Sequence, residues 1–154
     1  MAKRPPTPIH SRTDPDVAWR AAQRLATAFS AACGDLPNIF SEGNPAGRVF
    51  HRWTLALDPA TPLTAESLAA ALHVRAPRHV DLDEAGDSFT LDPDNDGAET
   101  ALGFGLLAAM MRATLDGLFI AWVRGGASSS TPTYVFGRLD GGPLVGLHVI
   151  TIET

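Results

Sequence analysis

The sequence predicts an α+β fold in which helices cover a mainly antiparallel sheet. Three observations lead there. Helical and strand-like apolar spacings are interspersed from residue 14 onward. The end of the chain holds three strand-sized apolar runs separated by glycine-bearing turns, the pattern of a β-meander. The composition is that of a globular domain, with 45% apolar and 19% charged residues among 154. It excludes an intrinsically disordered chain. No run approaches the ~20 apolar residues of a membrane span.

Each element has its own local reason. Asp14-Pro15 starts a helix, because an Asp side chain caps free amides and Pro fits the first helical position. Over residues 16–32, Val17, Ala21, Leu25, Ala28 and Ala32 recur at helical spacing and are the expected buried face. Gly34 ends it. Residues 36–47 form a loop punctuated by Pro37, Gly43, Asn44, Pro45 and Gly47 and anchored by Ile39 and Phe40. A strand follows over 48–57, where Val49, His51, Trp53 and Leu55 alternate with Phe50, Arg52 and Thr54. Thr64 caps a short helix, with Ser67 where a full capping box has Glu or Gln. Leu68 and Leu72 mark its apolar face.

Residues 77–82 are β-like. A second long helix is predicted over 98–116, with Leu102, Leu106, Ala109, Met110 and Ala113 as its buried stripe. Gly103 and Gly105 each weaken it by about 1 kcal/mol against Ala and invite another backbone to approach. Strands over 118–124, 133–139 and 143–152 close the chain. They are joined through Gly125-Gly126 with a Ser/Thr loop and through Asp140-Gly141-Gly142. Trp53 and Trp122 lie on alternating strands and are expected to be mainly buried.

Residues 1–13 hold Pro5, Pro6 and Pro8, and no apolar core follows their basic residues. The expectation is a flexible tail rather than a signal peptide, a cytoplasmic protein, and a single domain over 14–154. Cys33, the only cysteine, ends a helical apolar pattern and is expected to be a small core residue.

Three of the 12 basic residues lie in the tail, so residues 14–154 set nine bases against all 17 acids, a formal charge of −8. Asp81, Asp83, Glu84, Asp87, Asp92, Asp94, Asp96 and Glu99 follow one another without an intervening Lys or Arg. Direct nucleic-acid binding needs the opposite sign, since phosphate neutralisation drives it. An acidic domain instead suits a basic protein, whose encounter its field accelerates.

Motifs for catalysis are sparse. Asp92-Pro93-Asp94-Asn95-Asp96-Gly97 resembles the start of a calcium loop, but the twelfth position, which needs a bidentate Glu, is Gly103. An acidic turn before a helix is the better reading, and a shorter oxygen-ligand site stays open. His10, His51, His73, His79 and His148 lack the spacing of a helical zinc site, although His51 and His148 lie in strands that the fold can bring together. Ser128-Ser129-Ser130 has no nucleophile-elbow context, and Gly103-Phe104-Gly105 follows no strand. The chain is expected not to be an enzyme and to use no cofactor.

Tyr134-Val135-Phe136-Gly137, a turn through Asp140-Gly141, and the run from Leu144-Val145-Gly146-Leu147 to Glu153-Thr154 resemble the C-terminal hairpin of the nuclease A inhibitor family. Upstream segments are similar too. Ile39-Phe40-Ser41-Glu42 follows the first helix, a strand carries Phe50 and Trp53, a short helix opens with Thr64, and Asp87-Ser88-Phe89 precedes an acidic helix start. The resemblance covers about residues 14–154.

The resemblance implies an α/β/α sandwich. It implies inhibition of a non-specific, magnesium-dependent DNA/RNA endonuclease by plugging its cleft, with no chemistry of its own and as a monomer when free. It further implies that Glu42 and Thr154 approach the nuclease's magnesium, which favours oxygen ligands. The family has an aromatic in the loop before its last long helix. Here that loop is residues 92–97, and Asp92, Asp94 and Asp96 are expected to face the basic nuclease surface instead. Glu42, Asp92, Asp94, Asp96, Glu153 and Thr154 are thus the expected partner-binding residues. The metal would belong to the nuclease and not to this chain. Two rivals are a binding module of the same fold for another protein or small ligand, and a divalent-metal enzyme centred on Asp92, Asp94 and Asp96.

Overall fold

Small side chains decide how the first helix sits. In the computed structural model, which describes residues 14–33, 50–85, 98–127, 130–140 and 142–152, helix α1 spans Pro15–Cys33. Asp14 caps it as expected, its Oδ1 accepting from the Asp16 amide at 2.9 Å. The buried face is Ala18, Ala22, Ala26, Phe29 and Cys33. That is the predicted periodicity moved on by one residue, so Val17 is exposed at 45% and Ala28 and Ala32 also face out. The reason is phase. In an alanine-rich helix several faces score alike, and the large Phe29 selects the one that packs.

Strand β1 covers His51–Leu55. Helix α2, Ala65–Ala71, has a complete capping box built with serine. The Ser67 amide donates to Thr64 Oγ1 at 3.0 Å, and the Thr64 amide donates to Ser67 Oγ at 2.9 Å. Ser thus performs the role the sequence pattern reserves for Glu or Gln. Strand β2 is His79–Glu84, and helix α3 is Ala98–Thr114.

Helix α3 also corrects the predicted stripe. Phe104, Leu107, Ala108 and Met111 are buried, while Leu102 and Leu106 are 64% and 63% exposed. Ala109 and Ala113 are exposed as well, and Met110 is only partly buried. Leu, Ala and Met surround this helix on all sides, so periodicity alone could not choose a face. A Cβ at Gly105 would meet nothing within 4 Å, so no backbone approaches there.

The chain ends in β3 (Asp116–Arg124), β4 (Ser130–Arg138) and β5 (Leu144–Ile152). They form the expected meander within a five-stranded antiparallel sheet of order β1-β5-β4-β3-β2. The class is therefore α+β. Gly146 lies deep in this sheet, where a Cβ would collide with the Val135 carbonyl oxygen and the Phe136 Cα.

Two cores lie on opposite faces of the sheet. One joins α1 and α3 to Ile120, Val135, Val145, Leu147 and Val149. The other places Leu68 of α2 against Val80, Ala121, Val123, Phe136 and Leu144. Fully burying one such side chain contributes about 1.5–3 kcal/mol. Trp122 and Trp53 are partly buried and pack at the margins of the first and second cores respectively. Among the described residues, no helix is long and apolar enough to cross a membrane.

Candidate functional site

Register gives the sheet two distinct ends. β5 starts beside Arg138 and Leu55, and it finishes with Ile152 beside Ser130. We call the finishing end upper. His51, the first residue of β1, pairs with His148, the middle residue of β5, so β1 starts at mid-height and runs alongside the lower half of β5, while Arg124 pairs with His79 at the upper end.

Both long helices run between these ends. α1 climbs, since Gln23 Nε2 donates to Thr54 Oγ1 at 3.0 Å and, further along, Ser30 Oγ donates to the Phe50 carbonyl at 3.5 Å. α3 descends. Near its start Phe104 meets Phe50 edge to face, with ring centroids 6.1 Å apart. Just beyond its end, Leu115 lies so close to Gly137 that a Cβ there would sit 2.6 Å from Leu115 Cβ. A 17-residue helix is about 25 Å long, enough to traverse the sheet. The end of α1, the start of α3 and the end of β5 therefore lie toward the upper end, and β1 starts at mid-height and runs away from it.

All six expected partner-binding residues, Glu42, Asp92, Asp94, Asp96, Glu153 and Thr154, lie outside the described residues. Their described neighbours in sequence are the start of β1, the start of α3 and the end of β5. These are segments far apart in sequence; the topology brings the last two toward the upper end, and β1 starts at mid-height and runs away from it. The truncated calcium-loop motif is also outside the described residues. Among the described residues, no group of three or more His, Cys, Asp or Glu could hold a metal ion.

No protein-family model matches the chain, and no curated protein matches it.

The middle of the sheet carries an aromatic and imidazole cluster on its α2 face. Tyr134 stacks on His148 with centroids 4.7 Å apart and planes at 27°. Trp53 lies 4.7 Å from the other side of the row, at Tyr134, and 5.4 Å from Phe136. His148 Nε2 is buried and has no hydrogen-bond partner. Burial lowers the His148 pKa, and the charge of His51 lowers it further. Burial raises that of Tyr134. The sequence singled out both histidines, but their direct pairing depends on register, and Tyr134 carried no signal of its own.

Two other groups are structural. Arg124 Nη1 donates to Asp81 Oδ2 at 2.7 Å and its guanidinium lies 4.9 Å from the Trp122 ring. Both partners are well exposed, at 38% and 41%, so this pair contributes at most about 1 kcal/mol. Cys33 is buried, and burial pushes its thiol up to about 12. It is a core residue, as expected, with a negligible thiolate fraction at neutral pH.

Proposed function

We propose that the chain is a protein inhibitor of a non-specific, magnesium-dependent DNA/RNA endonuclease. One observation carries the reading. The start of α3 and the end of β5, which flank Asp92–Asp96 and Glu153-Thr154 in sequence, lie toward one end of the sheet, and β1, which follows Glu42 in sequence, runs away from that end. An end from which several acidic segments continue suits a cleft built for phosphate beside a divalent ion and basic side chains. A carboxylate substitutes for phosphate in such a cleft, and opposite charge speeds the encounter. The α+β architecture and the net charge of −5 support the same reading.

In this reading Asp92, Asp94, Asp96 and Glu153 meet the basic rim, and Glu42 and Thr154 reach toward the nuclease's own metal. The chain performs no chemistry, needs no cofactor, binds no nucleic acid directly, and acts in the cytoplasm as a monomer until it meets its partner. The test is a titration of a magnesium-dependent non-specific nuclease with the full chain. Stoichiometric loss of DNA cleavage is expected, with association slowing as salt rises. Unimpaired cleavage at micromolar excess over the cognate enzyme overturns the proposal.

A further inference from the structure

We propose that His51 and His148 form a two-imidazole site for a divalent transition metal of the zinc–copper class. The two are direct cross-strand partners on neighbouring antiparallel strands. Side chains so placed share a face with Cβ atoms about 4.5–5.5 Å apart, a separation from which two imidazoles converge on one ion at Zn–N distances of about 2.0–2.1 Å.

The two partners have complementary roles. His148 is on β5, between β1 and β4, with its ring held by the Tyr134 stack. That fixes the orientation of one ligand in advance. His51 is exposed at the start of the edge strand β1 and supplies an adjustable second ligand. The unsatisfied Nε2 of His148 is the independent sign. Buried polar atoms in folded chains nearly always have a partner, and one without calls for an explanation, a bound ion among them. Imidazole nitrogen suits zinc, copper and nickel and discriminates against magnesium and calcium, which take oxygen. Two protein ligands leave positions open for water or an anionic ligand. The two histidines are none of the residues assigned to the proposed inhibitor surface, so either proposal can fail alone.

The experiment is calorimetric titration of the full chain with Cu²⁺, Zn²⁺ and Mg²⁺ at about pH 7.5, where imidazole is mostly neutral, with electron paramagnetic resonance of the Cu²⁺ form. One ion per chain is expected, bound through two nitrogens, with copper tighter than zinc and no response to magnesium. His51→Ala and His148→Ala should each weaken binding about tenfold or more, since disturbing even a ligand's partner costs that much. His79→Ala should leave it unchanged. His51 is exposed, so its variant tests the site even if His148→Ala fails to fold. Zinc should also raise the Tm of the parent chain and not that of His51→Ala. Absence of stoichiometric binding, unchanged affinity in His51→Ala, or an equal loss in His79→Ala overturns the proposal.

Discussion

The two ends of the sheet differ in what meets there. At the lower end, Arg138 gathers the chain. Its guanidinium donates to the carbonyls of Gly142 at 3.1 Å, Thr61 at 2.6 Å and Asp58 at 2.6 Å. One side chain thereby ties the β4–β5 turn to the loop after β1. Gly142 fits the same knot, with φ at +115° and its Cα so near the Leu57 carbonyl that a Cβ would collide. At the upper end, the elements meet and the acidic segments continue from them. The lower end is tied by this knot, and the proposed inhibitor surface lies at the upper end, so a change in the knot should leave inhibition intact.

The largest expected effect breaks this separation deliberately. Phe104 is fully buried against Phe50 and anchors the start of α3 beneath the upper end. Phe104→Ala should cost about 3–5 kcal/mol in urea denaturation and lower nuclease inhibition as well, because it removes the support beneath the proposed recognition surface. Arg138→Met sharpens the separation. It strips a charged donor from three carbonyls and should cost about 2–4 kcal/mol, while the folded fraction inhibits as the parent does. Asp81→Asn, in an exposed pair, should change stability by no more than about 1 kcal/mol and should not affect inhibition.

A pH experiment adds a check on the core beneath the upper end. Folding raises the Cys33 pKa from 9.0 to about 12. The folded state therefore holds a proton that the unfolded chain releases. This contribution is complete below pH 9 and is lost as pH climbs from 9 toward 12. Stability should fall over that window less steeply in Cys33→Ala, and native Cys33 should resist alkylation at pH 8 until the chain unfolds. Rapid native-state alkylation would show that Cys33 is not sealed in the core.

Much of the fold was legible because local rules set it. Asp14-Pro15, Thr64 with Ser67, Gly125-Gly126 and Asp140-Gly141-Gly142 mark starts and turns by chemistry acting within a few residues. Helix phase was not legible. α1 is so rich in alanine, and α3 so apolar around its circumference, that packing against the sheet made the choice, and in both it chose a different face from the expected one. The His51–His148 pairing needed the register of strands almost a hundred residues apart, which no local pattern fixes. The expected partner-binding residues came from the resemblance and the charge pattern. They lie outside the described residues, and what the structure adds is that the start of α3 and the end of β5 lie toward one end and β1 runs away from it.

The proposed inhibitor has its recognition surface at the upper end of the sheet. Hydrogen exchange of the full chain, alone and saturated with a magnesium-dependent nuclease, tests it directly. Protection should rise at the start of α3, the start of β1 and the end of β5, and stay unchanged around Asp58–Thr61 and Arg138. Glu42→Ala and Thr154→Ala should reduce that protection without changing the Tm. Protection centred on the lower end, or none at saturating nuclease, would contradict the account.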